Sequence, residues 1–418
     1  MSIWKRIKGS KEAKNLLSNF FSLSLLEVAG YIFPLLTVPY LAHILGVELY
    51  GAIAFASAII VYFQTFVDYG FIFTAVRDIA RCRDNKDEIT TIYSEIMWAR
   101  GFLLLCAFIL LLILIFAIPK FYEMIWLLLA SFLIVVGYAM FPTWVFQGME
   151  KMKYITIFNV IIKLIFTVAV FCFIKDRADY LLQPIFTGLG YIISGASAMW
   201  LINRWGIKLH KVSFSRIVYR IRSNFDLFLT QIIPNLYSSA SVLFLGFVCG
   251  PAANGIYDAA NRFNNLGNRL FSIISRTFYP FLSRRMDKHS SFSKSYLCIS
   301  SVIAVLLYIF APFIIHTFFP SDFDGAIATL RVLSISLVFL AIYIIYGVNF
   351  LIIKGFEKEV RSIMLYSSLF GLIIAIPSVY YLSYIGVAIT VTASRGIMGI
   401  WSMIKVKQVQ KKLMDTNA

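Results

Sequence analysis

Long apolar stretches separated by short, mostly basic loops dominate the pattern of this 418-residue chain. A helix that crosses a bilayer core of roughly 30 Å needs about 20 mostly apolar residues, and stretches of that length recur along the whole sequence. Since an even number of spans is expected, both termini should lie on one side of the membrane. We predict twelve spans near residues 15–37, 50–73, 93–118, 123–146, 154–174, 182–203, 225–249, 255–281, 296–318, 326–351, 361–382 and 384–404.

The composition supports an integral membrane protein. The chain is 60% hydrophobic and 14% charged, with a mean hydropathy of +0.81, whereas about a quarter of the residues in soluble domains are charged. Its five cysteines are scattered with no Cys-x-x-Cys spacing, which argues against a disulfide framework or a metal site. The basic start MSIWKRIKGSKEAK precedes an apolar stretch longer than that of a signal peptide. We therefore predict an uncleaved first span, and no metal or cofactor.

The distribution of basic residues predicts the orientation. Both terminal segments and the loops after even-numbered spans hold most of the Lys and Arg, while the opposite loops hold only Lys120, Lys175 and Arg177. Because basic residues in short loops are retained in the cytoplasm, both termini are expected there. The net charge of +17 then reflects topology, and no soluble domain is long enough to present a nucleic-acid-binding patch.

The longest predicted cytoplasmic connection divides the chain nearly in half. Its sequence, RWGIKLHKVSFSRIVYRIRS, interleaves apolar and basic residues, a pattern typical of an amphipathic helix that lies at a membrane surface. We expect an N-terminal six-helix bundle in residues 1–204, a linker in residues 205–223 and a C-terminal six-helix bundle in residues 224–418.

The two halves share a faint internal repeat. The tripeptide SNF begins at residue 18 and again at residue 223, and GVELYGAIAFA from residue 46 aligns with GPAANGIYDAA from residue 250. Six spans return the chain to the starting side, so the two halves should run parallel about an axis along the membrane normal. Transporters commonly bind substrate at such a repeat interface.

A polar row in the eighth predicted span is the strongest candidate site. Its members are spaced so that a helix places them within an arc of about 80°, and they are Asp258, Arg262, Asn265, Arg269, Ser272 and Arg276. An Arg at the bilayer centre costs from about 3 to above 10 kcal/mol, so this row should line a cavity instead of facing lipid. In the alternative interpretation, Asp258 and Arg262 neutralise each other and Arg276 reaches the membrane surface.

Other charges lie within predicted spans. Lys163, Arg331 and Arg395 join the row as candidate substrate-binding cations, although an interhelical ion pair is an equally good interpretation of each. Glu27, Asp68 and Asp258 are candidate sites for a coupling proton or sodium ion, and a fixed counter-ion is the alternative. Glu95 lies close to a span end, where we expect it to be solvated.

Three segments in order resemble signature regions of the polysaccharide-transport family, in particular its Wzx-type O-antigen flippases. They are PLLTVPYLAHILGVELYGAIAFASAI from residue 34, DYGFIFTAVRDIA from residue 68 and FPTWVFQGMEKMKYI from residue 141. The likeness extends over essentially the whole chain in length and span count.

The resemblance implies a bacterial inner-membrane protein of the multidrug/oligosaccharidyl-lipid/polysaccharide (MOP) exporter superfamily, with a MATE-like all-α fold of two bundles. It implies movement of an oligosaccharide on undecaprenyl diphosphate from the cytoplasmic to the periplasmic leaflet, by ion-coupled alternating access through a cationic cavity. An O-antigen polymerase and a chain-length regulator are implied partners. The candidate cations fit this substrate, since guanidinium groups bind phosphate oxygens through short, charge-assisted hydrogen bonds.

Two other functions compete with this one. A multidrug exporter of related fold would favour an acidic or neutral cavity, whereas the predicted spans contain more basic than acidic residues. A membrane glycosyltransferase or O-antigen polymerase could use the Asp-x-Asp of SDFDG at residues 321–325. That segment is a short loop, and a turn with two solvated acids explains it more simply.

Overall fold

Helices account for the regular structure throughout the described part of the chain. The computed structural model describes the backbone of residues 11–416, and the side chains of residues 30, 33, 36–229, 231–232 and 239–410. Within those bounds the chain forms helices and no strand. The α-helices are α1 (Lys11–Asp68), α2 (Phe71–Arg81), α3 (Lys86–Ala117), α4 (Pro119–Glu123), α5 (Ile125–Met140), α6 (Thr143–Gly148), α7 (Met152–Phe173), α8 (Leu182–Arg204), α9 (Phe214–Ser223), α10 (Phe225–Cys249), α11 (Pro251–Arg284), α12 (His289–Phe318), α13 (Gly325–Tyr343) and α14 (Glu357–Thr416). Short 3-10 turns cover Arg177–Leu181, Met286–Lys288 and Ser321–Phe323, and a π-helix covers Ile344–Ile352.

The predicted spans lie almost entirely in these helices, which confirms an all-α membrane protein. The helix is interrupted at residues 69–70 within the predicted span 50–73, and at residues 124 and 141–142 within the predicted span 123–146. Helices α1 and α14 each hold two predicted spans, separated by breaks at Gly46 and Ser383. In the described part of the chain, eight helical segments are long and apolar enough to cross a membrane. Helix α11 has 34 residues but is not among the eight, because its polar row lowers its hydropathy. The twelve-span layout stays a prediction.

The chain forms two compact units. Within the described residues, the first contains residues 11–44 and 59–232, and the second contains residues 45–58 and 233–416. These units differ from the predicted division, because part of α1 belongs to the second unit and the linker belongs to the first. The division into bundles of residues 1–204 and 224–418 stays a prediction about the membrane-embedded helices.

The core of the first unit is built around fully buried aromatic side chains, including Trp144 and Phe146 of α6. The linker helix α9 packs on this unit through Ile217 and through two arginines. Arg220 Nε donates to Glu95 Oε2 over 2.7 Å, and Arg216 Nη1 donates to Glu95 Oε1 over 3.1 Å. The expectation that Glu95 is solvated is therefore wrong: it is 7% exposed, because α9 covers it and supplies the neutralising charge.

In the second unit, α11 packs against α13 and α14. Phe271 and Tyr296 belong to its core cluster, and the Tyr296 hydroxyl donates to the Phe271 carbonyl oxygen over 2.8 Å. The π-helix that follows α13 contains buried Asn349, whose amide nitrogen donates to Ser275 Oγ on α11 over 3.0 Å. These contacts bury one side of α11 and leave its polar row half-buried to exposed.

Backbone geometry supports the internal repeat. Gly46 has φ 72° and ψ 173°, and Gly250, at the aligned position, has φ 88° and ψ 176°. This combination is open essentially to glycine alone. Each glycine precedes a helical stretch, and the two stretches cross within the second unit. A Cβ on Gly51 would meet Pro251, while a Cβ on Gly255 would meet Val47. Gly51 aligns with Gly255 and Val47 aligns with Pro251, so the repeat relates the two contacts to each other.

Candidate functional site

The polar row of α11 lies on the exposed side of the second unit. Asn265, Arg269 and Arg276 are exposed, while Asp258 and Arg262 are half-buried. The opposite side of the helix is closely packed, because small residues such as Ala260 and Gly267 alternate there with Phe263 and Phe271. The amphipathic spacing of the sequence therefore produces the face that was predicted. Whether the face lines a cavity stays a prediction.

Arg262 is held by two neighbours. Its Nε donates to Asp258 Oδ2 over 2.8 Å and to the Tyr50 hydroxyl over 2.7 Å, and that hydroxyl donates to Asp258 Oδ2 over 2.6 Å. These bonds use only the inner guanidinium nitrogen, so the two terminal nitrogens do not take part in them. The arrangement fixes the side chain while leaving the fork that binds a carboxylate or phosphate in bidentate fashion.

Tyr50 was not predicted from the sequence. It comes from the part of α1 that belongs to the second unit and lies 208 residues from Asp258. The repeat offered a partial signal, because Tyr50 lies inside the aligned segment GVELYGAIAFA. Nothing in that alignment, however, indicates that its hydroxyl meets Asp258.

Arg395 lies close to the α11 row and has neutral partners. Its Nη1 donates to Ser336 Oγ over 2.8 Å and to the amide oxygens of Asn268 and Asn264 over 3.3 and 3.5 Å. Asn268 in turn donates to Asn265 Oδ1 over 3.1 Å, linking Arg395 to the predicted row. Since none of these partners is a carboxylate, they position the cation without neutralising it.

The other predicted cations have different neighbours. Arg331 is half-buried, its Nε has no hydrogen-bond partner in the described structure, and its guanidinium carbon lies 5.5 Å from the centre of the Tyr308 ring. Lys163 belongs to the first unit. It lines a cavity of about 160 Å³ together with Phe33, Thr37, Asn159, Ile162, Phe166, Thr187 and Tyr191.

The predicted ion-coupling acids have different surroundings. Asp68 is buried beside Arg100, whose Nη2 donates to Asp68 Oδ1 over 3.3 Å, and Gln231 Nε2 donates to the other oxygen over 3.4 Å. This geometry favours the alternative of a fixed counter-ion. Arg100 was recognisable as a charge within a span, but its partner lies 32 residues away. Glu27 lies outside the residues whose side chains are described.

The Asp-x-Asp sequence forms a short exposed turn. Asp324 Oδ1 lies 3.2 Å from His316 Nε2, and both side chains are 58% exposed. Over the described residues, no group of three or more His, Cys, Asp or Glu side chains is arranged to hold a metal ion.

The chain is a multi-pass helical membrane protein with basic residues inside its apolar segments, and known structures share its fold. The lipid II flippase MurJ in an inward closed conformation matches with a TM-score of 0.71 and 17% identity, over 94% of this chain and 87% of that one. An inward-facing MATE-family multidrug resistance transporter of the MOP superfamily matches with a TM-score of 0.67 and 15% identity, over 94% and 99%. These matches confirm a MATE-like fold.

Sequence comparison then gives the family. Residues 16–286 match the family described as "Polysaccharide biosynthesis protein", and the chain belongs to it. Two relatives carry the name "Putative O-antigen transporter". The one from Escherichia coli (strain K12) is 27% identical over 90% of this chain and 93% of its own length, and the one from Shigella dysenteriae is 26% identical over 93% and 99%. The chain is a transporter of polysaccharide biosynthesis, not an enzyme.

Proposed function

We propose that this protein is a flippase that moves an oligosaccharide linked to undecaprenyl diphosphate, an O-antigen repeat unit, from the cytoplasmic to the periplasmic leaflet. It would act by alternating access in the bacterial inner membrane, with both termini in the cytoplasm. The names of the two relatives support the oligosaccharide, and the fold shared with a lipid II flippase supports a lipid-linked substrate. An O-antigen polymerase and a chain-length regulator are proposed partners.

The observation that carries this proposal is the set of cations on and beside α11. Arg262 is fixed through Nε, which leaves its terminal nitrogens outside those bonds, and Arg269 and Arg276 are exposed farther along the same face. Arg395 adds a cation held by neutral groups. A diphosphate is the group that such a set suits best, because each guanidinium offers paired donors to phosphate oxygens.

The remaining candidate residues take secondary roles in the proposal. Asn265 supports the row through its bond to Asn268, and Arg331 and Lys163 would contact the substrate away from the diphosphate. This distribution also argues against a multidrug cation exporter, because a site for organic cations would not concentrate positive charge.

Replacing Arg269 tests the proposal. Loss of a charged hydrogen-bond pair costs about 1.5–3 kcal/mol, so Arg269→Ala should lower surface O-antigen roughly 10- to 100-fold in a strain that lacks its own flippase. Arg284→Ala is the matched control, since Arg284 is an exposed arginine in the last turn of the same helix. Both variants should reach wild-type membrane levels, and full O-antigen display by Arg269→Ala would remove α11 from the substrate path.

Ion coupling is proposed at Asp258. A proton on this carboxylate would cancel the charge that holds Arg262 and Tyr50, so protonation would alter the binding face directly. Asp258→Asn imitates the protonated group, and transport by this variant in vesicles should lose its response to a pH gradient. Glu27 and Asp68 are the other proposed coupling sites. Wild-type transport that ignores both pH and sodium gradients would exclude all three.

A further inference from the structure

A small basic groove lies in the second unit, away from the α11 row. It has a volume of about 260 Å³ and is formed where the beginning of α14 meets the later part of the same helix. Its lining residues are Lys358, Glu359, Ser362, Ile363, Trp401 and Lys405. No part of the proposed transport path uses this groove.

The two lysines give the groove a net positive charge. Among the described side chains, neither the Lys358 nor the Lys405 ammonium group forms an ion pair or a hydrogen bond, and Glu359 pairs with neither. Two cations therefore share one small depression with a single carboxylate. Such a depression attracts an anion that can approach both ammonium groups.

Two aromatic rings lie beside the groove, near the ends of the apolar stretches of α14. Trp401 and Tyr366 stack with ring centres 6.0 Å apart, and their exposed fractions are 39% and 55%. They stand where the apolar stretches of α14 give way to charged residues, and Trp and Tyr are enriched at that boundary of membrane proteins. Exposed aromatic rings beside two ammonium groups match an acyl-bearing anion better than a freely soluble one.

The other half of the chain offers a comparison. Trp200 and Arg204 end α8 with the same spacing as Trp401 and Lys405, but the guanidinium carbon of Arg204 lies 3.9 Å from the centre of its own Trp200 ring. The Arg204 guanidinium group therefore already has an aromatic partner. In the second unit the tryptophan stacks on Tyr366 instead, and the base lines the groove.

We propose that this groove binds the phosphate of an anionic membrane phospholipid, with the phosphodiester between Lys358 and Lys405 and the lipid body against Trp401 and Tyr366. Trp401 also lines the groove, and an indole N–H is a hydrogen-bond donor. The inference is independent of the transported substrate, because it uses none of the residues assigned to transport.

The test is titration of the purified full-length protein in detergent with phosphatidylglycerol, followed by native mass spectrometry. The double variant Lys358→Gln/Lys405→Gln should bind phosphatidylglycerol about 10- to 30-fold more weakly. The matched control is Lys354→Gln/Lys407→Gln, which removes the same charge from exposed lysines that do not line the groove. The control should change affinity less than about 3-fold, and phosphatidylcholine should bind wild type and both variants equally weakly.

Each of the other outcomes would overturn the proposal. An equal loss in both double variants would mean a general effect of surface charge, and no loss in either would remove the groove as a site. Competition by inorganic diphosphate as strong as that by phosphatidylglycerol would show a site for free phosphate instead. Arg269→Ala should bind phosphatidylglycerol like wild type, so failure of the transport proposal would be distinguishable from failure of this one.

Discussion

The crossing of Gly51 and Gly255 in the second unit gives a sharp prediction about stability. An ideal Cβ on Gly51 would lie 1.8 Å from the Pro251 carbonyl oxygen and 2.8 Å from the Gly255 nitrogen. Both are backbone atoms, so no side-chain rotation can relieve the contact. The helices would have to separate by roughly 1.5–2 Å to restore van der Waals distances. Because overpacking costs typically 1–3 kcal/mol, we expect Gly51→Ala to lower the free energy of unfolding by about 3 kcal/mol.

Two other glycines separate the contact from general effects of substitution. A Cβ on Gly101 in α3 would meet no atom within 4 Å, so Gly101→Ala should stabilise by about 0.5–1 kcal/mol through helix propensity. Gly250 also has open space, but its φ of 88° strains any other residue, and Gly250→Ala should destabilise by about 1–3 kcal/mol. In thermal unfolding in detergent, followed by tryptophan fluorescence, the melting temperature should therefore fall in the order Gly101→Ala, wild type, Gly250→Ala, Gly51→Ala. A melting temperature for Gly51→Ala at or above that of wild type would refute the close crossing.

Two further predictions concern the first unit. In the same unfolding assay, Asp68→Asn should lower the free energy of unfolding by about 3–5 kcal/mol, because it leaves Arg100 buried without its carboxylate. Adding Arg100→Leu should restore most of this loss. An Asp68→Asn protein of normal stability that no longer transports would instead favour ion coupling at this residue. Glu95→Gln should loosen α9 by weakening the bonds of residue 95 to Arg216 and Arg220. Limited proteolysis should then cut residues 205–213 several times faster than in wild type. Unchanged cleavage would show that apolar packing alone holds the linker helix.

The sequence was sufficient for features that depend on local order. Hydropathy located the helices, and helical periodicity placed Arg262 and Arg269 on one polar face. The repeat alignment pairs Gly46 with Gly250, which share the same backbone geometry. These features follow from residues within a few turns of each other, where spacing alone determines which side chains share a face.

The sequence could not predict which polar side chains bond to each other, because these pairings depend on packing between distant segments. Asp68 meets Arg100 and Gln231, the latter 163 residues away, and Tyr50 meets Asp258 across 208 residues. The prediction that Glu95 is solvated was wrong for the same reason. Its place near the end of a span suggested solvent, but the linker helix returns to cover it. A charge within a span can be counted from the sequence, whereas its neutralisation can be judged only from the fold.

The aligned halves differ in the chemistry that matters for transport. At a separation of 204 residues, Asp258, Arg262 and Arg269 align with Ala54, Ala58 and Thr65, so the aligned stretch of the first half lacks the cationic row. The described acids Asp68, Asp78 and Glu95 of the first unit are each paired with arginines. The duplicated framework therefore supplies the fold twice, while the cations of α11 and Arg395 belong to one half. If those cations bind the diphosphate, introducing Arg at position 58 should not replace Arg262, because that position has no equivalent of the Tyr50 and Asp258 pair that holds it.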